Sequence, residues 1–541
     1  MENRECNPIT LEVFGNLFSS IAEEMGTALC RAALSPNIKE RRDFSCVVCD
    51  HGGGLIAQAA HIPVHLGSAP LSVKEALTAV DMSPGDIVVL NDPFKGGTHL
   101  PDLTMIAPVF PDDAAARASF YVANRAHHAD VGGMAAGSMP VSDEIFQEGL
   151  IIPPLRLVKQ GEMDRDILAL ILRNVRTPLE REGDLQAQIA SLHIGIKRLA
   201  EAARRHGTEM MHFYAEALKD RSEKMLRMVI SDIPDGDYEA EDYLDDDGFS
   251  DTPIPIRVVV RIRGDCAEAD FSGSASQVKG NLNAVPAITI SAVLYVFRLI
   301  VPGDIPANAG TLRPLTVRVT PGSILNALPP AAVAGGNVET SQRVVDVLLA
   351  ALAKAVPDRI PAASQGTMNN LTIGTAHPDP SQSFAYYETT GGGAGAGPLG
   401  AGASGIHSHM TNTMNTPIEA LEAAYPLLVE RFRLRSGSGG SGKHRGGEGI
   451  CRDVRVLAPA NAVLITERRK IPPYGLAGGG SGKPGRNVLI RADGTRAEIP
   501  SKVSFHVEPG DVISICTPGG GGWGVESGKE SILDDARRSS S

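Results

Sequence analysis

Two histidines and a carboxylate stand at spacings that can hold a metal ion: His99 and Asp102 in GGTHLPD, and His127 in ANRAHHAD. His99 and Asp102 lie three residues apart, just before an apolar run at 103–110, and His127 directly follows a second run at 119–126. The link between the runs, 111–118, is polar and alanine-rich. Runs joined in this way pair as an antiparallel hairpin of constant register. If the pairing is centred on the link, 111 faces 118 and Asp102 faces His127, with His99 at the same end. Imidazole nitrogen mixed with carboxylate oxygen suits zinc, manganese or iron. Spacing alone favours a plainer reading, in which polar residues at strand ends are solvated loop residues. No H-E-x-x-H pattern shifts that balance.

The elements that must position these residues are readable around them. Residues 86–90 (DIVVL) form a buried strand running into the turn Asn91-Asp92-Pro93, and Gly96-Gly97 permit a path that side chains would block. Upstream, residues 8–35 carry Leu11, Phe14, Leu17, Phe18 and Ile21 at helical spacing, with Thr10 as the N-cap. Asp43, like Asp102, stands at a strand mouth, opening a hairpin of 44–49 against 55–60. His61 and His65 are four apart, but Pro63 between them argues against a helical metal pair.

Helices are expected at 72–80, 164–174, 182–207, 210–230, 288–300 and 344–355, and strands at 254–262 and 266–271. The last third is glycine-rich, and its runs read as tight turns between short strands; none matches the phosphate-cradling G-x-x-x-x-G-K-[ST]. His407 and His409 alternate in GIHSHMTNT, so both are expected on one side of a strand. The fold class is α+β and multi-domain: an N-terminal α+β metal-site domain over 1–232, a β-rich middle over 233–330, a glycine-rich C-terminal domain over 331–524 and a disordered tail over 525–541.

Composition narrows the function classes. A net charge of −12 over 541 residues, with no basic run interleaved with aromatics, argues against a nucleic-acid surface. Apolar stretches fall short of membrane-spanning length, and the polar N-terminus lacks the features of a signal peptide. Seven scattered cysteines fit free thiols in a reducing cytoplasm, and Cys46-x-x-Cys49 lies inside a strand-like run where burial is expected.

The longer motifs carry a resemblance. NDPFKGGTHLPDLTMIAPVF, ANRAHHADVGG, AGGNVETSQRVVDVLL, ASQGTMNNLTIG, YYETTGGGAGAG and HSHMTNTMNTPIEALEAAYPLLVERFRLRSGSGGSGKHRGGEG resemble the hydantoinase B/oxoprolinase family, from about residue 8 to 524. The resemblance implies the B subunit of an ATP-dependent cyclic amide hydrolase of the N-methylhydantoinase kind, with a ketone carboxylase subunit as the alternative. It implies a divalent ion, Zn2+ or Mn2+, on His99, Asp102, His127 and Asp43, with His128 ranked below His127. Asp130 or Asp92 would orient a ligand or accept a proton, and His407 and His409 complete the candidate catalytic set. It also implies a hydantoinase A-like partner that uses ATP and Mg2+ to phosphorylate the substrate, in an (AB)2 or larger hetero-oligomer.

Overall fold

The computed structural model describes residues 6–59, 62–111, 117–379 and 382–526. The expected tail therefore lies, from 527 on, outside the described residues. The chain is α+β: nine helices and twenty strands are described, the strands in four mainly antiparallel sheets.

The first sheet carries the candidate metal ligands. Its strands are β1 (Phe44–Asp50), β2 (Leu55–Gln58), β3 (Ile87–Leu90), β4 (Asp102–Val109), β5 (Phe120–His127), β6 (Leu155–Lys159) and β7 (Glu162–Met163), in the order β2-β1-β5-β4-β3-β6-β7. The β4–β5 register is the expected one throughout, from Asp102 opposite His127 to Val109 opposite Phe120. Successive strand side chains point to opposite faces, and both faces are buried. Helices α1 (Pro8–Ala32) and α5 (Pro178–His206) cover one, next to α6 (Thr208–Ser231), while α2 (Pro36–Lys39) links α1 to β1 and α4 (Arg165–Arg173) leads into α5. Helix α3 (Ser68–Ala79) covers the other through Ala69, Val73 and Ala76. The C-x-x-C pair divides between these faces: Cys46 packs in one core and Cys49 in the other. Burial pushes the Cys46 thiol up to about 12. The cap of α1 is Asn7 rather than Thr10: its Oδ1 accepts from the amides of Ile9 and Thr10.

The second sheet, β11-β10-β9-β8, comprises β8 (Gly236–Leu244), β9 (Ile254–Arg263), β10 (Cys266–Asp270) and β11 (Leu315–Arg318). Helices α7 (Pro286–Leu299) and α8 (Ser341–Ala355) share its core, so that core continues past residue 330. The last two sheets face each other across a third core. One holds β12 (Asn370–Thr375), β13 (Phe384–Glu388), β16 (Ala460–Ile465) and β19 (Lys502–Val507). The other holds β14 (Leu427–Arg435), β15 (Gly449–Val456), β17 (Arg486–Ile490), β18 (Arg496–Glu498) and β20 (Val512–Cys516), with α9 (Ile418–Ala424) leading into β14. Among the described residues no helix is long and apolar enough to cross a membrane.

Two expectations fail here. Cys451 and Cys516, opposite each other on β15 and β20, form a disulfide, so the seven cysteines are not all free. The C-terminal glycine runs are also not simple turns. Residues 393–395, 402, 439–447, 479–482 and 519–522 form extended segments stacked backbone to backbone: the amide of Gly447 donates to Ala394, that of Gly520 to Gly447, and that of Gly440 to Gly520. A Cβ on Gly447 would lie 1.9 Å from the Ala403 oxygen, and one on Gly446 2.0 Å from the Gly520 oxygen. Glycine is needed here because neighbouring chains leave no room for a methyl, not for an unusual φ.

Candidate metal centre

The hairpin β4–β5 brings Asp102 and His127 face to face, and the loop after β3 delivers His99 to the same edge. Gly97 in that loop is squeezed against the backbone oxygens of Asn91 and Asp92, where a Cβ would come to 2.6 and 2.7 Å. One Asp102 oxygen, Oδ1, lies 3.2 Å from His99 Nε2 and 3.3 Å from His127 Nδ1. The other, Oδ2, accepts from the Thr98 hydroxyl at 2.6 Å and lies 3.4 Å from His65 Nε2. Three histidines thus surround one buried carboxylate. Burial works to raise the Asp102 pKa, but the charge of His99 and bonds from His127, His65 and His99 hold it well below the usual range. Burial lowers His99 as well, yet the Asp102 carboxylate outweighs it and leaves His99 raised. At His127 burial prevails, and the pKa is lowered.

The triad suits a divalent ion. Its nitrogen–oxygen separations exceed the roughly 2.7–2.9 Å to which a charge-assisted hydrogen bond contracts. They match instead the spacing, about 3.3 Å, between ligand atoms set tetrahedrally around zinc at its usual bond lengths. Among the described residues, two buried polar atoms next to it, His127 Nε2 and Asn337 Oδ1, have no hydrogen-bond partner. Among the described residues His99, Asp102 and His127 are the one group of three or more His, Cys, Asp or Glu gathered closely enough to hold a metal.

Asp43 lies at the edge of this triad rather than within it. Its backbone oxygen accepts from the His127 amide at 3.0 Å, and its charge acts on both His99 and His127. Its carboxylate lies 3.6 Å from the guanidinium of buried Arg41 and is 12% exposed, against 0–3% for the triad side chains. Asp43 is therefore the least buried of these groups, and its chain neighbours Arg42 and Phe44 line a cavity with Ile62, Asn412 and Met414. Arg41 also stacks over the Tyr387 ring at 4.7 Å, and Tyr387 stacks on His127 with centroids 4.5 Å apart. Arg41 donates to the Tyr387 carbonyl at 2.9 Å and to the Thr389 hydroxyl at 3.1 Å.

Several contributors come from elsewhere in the chain. His65 sits in a 3-10 turn, Pro63–His65, and reaches Asp102 while its Nδ1 shares a hydrogen bond with Ser45 Oγ. His61, the other half of the i, i+4 pair, lies outside the described residues. Asn337 donates to Asp102 Oδ2 at 3.4 Å, with its Nδ2 3.0 Å from His99 Nε2. The Ala334 carbonyl, 3.2 Å from His99 Nδ1, takes the ring's other nitrogen and leaves Nε2 facing Asp102. Glu148 holds that segment in turn by accepting from the amides of Val333 and Ala334.

The remaining candidates are engaged otherwise. Asp130 is bound to Arg176, from the guanidinium at 2.8 Å and the amide at 2.6 Å. Asp92 caps the short turn Pro93–Lys95 by accepting from the Phe94 amide. Among the described residues neither is hydrogen-bonded to a histidine of the triad. His128 turns the opposite way, 2.9 Å from Gln188. His407 and His409 do not share a strand face, because His409 takes a left-handed conformation at φ 58° that breaks the alternation. His409 lies 3.6 Å from Asp346. His407 is pushed down to about 4 by burial, with Arg41 adding to the shift.

The α+β fold defines a class that known proteins share. The hydantoinase B/oxoprolinase family model matches residues 7–526, and the chain belongs to that family. It is 42% identical to an uncharacterised protein of Methanocaldococcus jannaschii, over 98% of this chain and 93% of that one. It is 40% identical to the 5-oxoprolinase of Dictyostelium discoideum over 98% of this chain, but spans only 41% of that protein's length. The B component of a putative D-/L-hydantoinase of Pseudomonas sp. is 31% identical over 98% of this chain and 93% of its own length. The ATP-dependent caprolactamase of Pseudomonas jessenii superposes with a TM-score of 0.89 at 29% identity, over 99% of this chain and 94% of that one. Acetone carboxylase shares the fold, with a TM-score of 0.88 at 20% identity over 99% and 78%.

Proposed function

We propose that this chain is the metal-holding subunit of an ATP-dependent cyclic amide hydrolase, opening a lactam or imide phosphorylated by a hydantoinase A-like partner. The observation that carries the reading is the convergence of His99, Asp102 and His127. These three would hold the ion, Zn2+ or Mn2+, with Asp43 as the ligand on the open side. When bound, the ion supplies Lewis acidity and makes hydroxide available near neutral pH.

The protein's own groups set the rest. Ala334 and Asn337 fix the His99 ring; Thr98 and His65 hold one Asp102 oxygen so that the other faces the histidines; Tyr387, clamped by Arg41, fixes the plane of His127. Burial of the triad excludes bulk water, and Asp43, the least buried group beside it, marks the side from which substrate would enter. ATP and Mg2+ belong to the partner in this reading, within an (AB)2 or larger hetero-oligomer. The likeness to a 5-oxoprolinase and to a hydantoinase component favours a related cyclic amide over a ketone. Likeness to acetone carboxylase at 20% identity supports the common fold only, and product analysis with and without bicarbonate separates the two activities.

Two outcomes test this. Purified chain should carry about one divalent ion per protomer, as the single ligand set implies, and His99→Ala should lose it; equal metal content in both by elemental analysis would refute the ligand set. The isolated chain should not hydrolyse ATP, with substrate-dependent turnover appearing only once the hydantoinase A-like partner is added. Robust turnover by this chain alone would overturn the division of labour.

A further inference from the structure

Away from the metal centre, a cavity of about 260 Å³ lies between α3, α7 and the segment 307–317. Gly67, Pro70, Leu71 and Lys74 line it from the α3 side at helical spacing, and Ile290, Leu294 and Arg298 line it from α7 at i, i+4 and i+8. The two stripes start from one contact: a Cβ on Gly67 would lie 2.8 Å from the Ile290 side chain, and the Gly67 amide donates to Ser291 Oγ. From there each stripe runs along its helix for about 11–12 Å and ends in a cation, Lys74 or Arg298. Between them the lining is mainly aliphatic, with Leu66, Leu312, Leu315 and Val317, while the polar Asn308 and Thr311 on the same wall bond within the protein.

Among the described residues neither cation is in an ion pair; Lys74 is exposed to solvent, whereas Arg298 is partly buried. Arg298 also has a buried Nη1 with no hydrogen-bond acceptor among the described residues. A buried guanidinium N–H without an acceptor is costly, and Asp304 is the one carboxylate whose charge acts on this group. A half-open, mainly aliphatic cavity that carries a guanidinium N–H without an acceptor, with an exposed lysine on its other wall, is complementary to an aliphatic anion.

We propose that this cavity is a binding site for a short-chain aliphatic carboxylate, whose head group pairs with Arg298 and Lys74 and whose tail fills the space toward Gly67. A zwitterionic amino acid fits poorly, because its ammonium would enter an apolar or cationic wall. The site stands apart from the amide-opening centre but is joined to it: Leu66 and Gly67 directly follow His65, which lies 3.4 Å from Asp102. Occupancy therefore pins the turn that supports the metal centre.

Hexanoate titrated into the purified full-length chain by isothermal calorimetry should bind at one saturable site, with Kd below about 1 mM, and hexanol at least about tenfold more weakly. Arg298→Met should weaken hexanoate at least about tenfold. Lys74→Met, at an exposed position where folding is not at stake, should weaken it severalfold. Hexanoate should also slow amide hydrogen exchange at Leu66 and Gly67. Absence of saturable heat with wild type, equal affinity for hexanol, or unchanged affinity in both folded variants would each overturn the proposal.

Discussion

If the chain works with the proposed hydantoinase A-like partner, Asp102→Asn is expected to separate ATP consumption from ring opening. Asp102 Oδ1 faces both His99 and His127, while Oδ2 is occupied by the Thr98 hydroxyl. Asparagine keeps the size and one oxygen but removes the charge that would help neutralise a divalent ion. It also sets an amide NH2 where Asn337 already offers a donor, 3.4 Å from Oδ2. Metal affinity and product formation should fall, by about 10- to 100-fold as for other changes around a metal. The proposed partner's nucleotide site is untouched, so phosphate release should persist while product formation falls further. The reading is the ratio of phosphate released to product formed, with partner and substrate saturating. A ratio equal to wild type would place Asp102 outside the hydrolytic site.

The sequence showed one half of this centre. The β4–β5 hairpin was legible because its two apolar runs are joined by a short polar link, and antiparallel register is constant once its centre is known. Asp102 opposite His127 follows, and His99 is only three residues away. The other half comes from residues that no local period connects to the hairpin. Asn337 meets Asp102 across 235 positions, and Arg41 bonds the Tyr387 carbonyl across 346. His65 was visible only as half of a pair that Pro63 rules out as helical; its true partner is a carboxylate in another segment. Asp92 and Asp130 are the opposite case. They adjoin the motif in sequence but serve local needs, a turn cap and an ion pair to Arg176. Cys451 and Cys516 are 65 positions apart, and only strand pairing brings them together.

The glycine-rich third gives a sharper contrast, because glycine frequency does not distinguish a turn from a close approach. Gly520→Ala is expected to be severely destabilising. A Cβ there would lie 1.9 Å from the Ala394 oxygen and 2.3 Å from its carbonyl carbon. No side chain can swing aside, since the obstacle is backbone. The Ala394 carbonyl cannot retreat freely either, because it accepts from the Gly447 amide at 2.8 Å, and Gly447 accepts from Gly520 at 2.9 Å. Overpacking of an ordinary core costs about 1–3 kcal/mol, and a clash against interlocked backbone should exceed that range. Gly400 is the control: it lies in the same region with nothing within 4 Å of its Cβ position, so Gly400→Ala should change stability by less than about 1 kcal/mol. Thermal melts of the two variants beside wild type make the comparison. Gly520→Ala should melt far below wild type or fail to accumulate as soluble protein, while Gly400→Ala melts with wild type. Equal melting of all three would show that the stacked segments tolerate side chains, and the close-approach account of these glycines would fall.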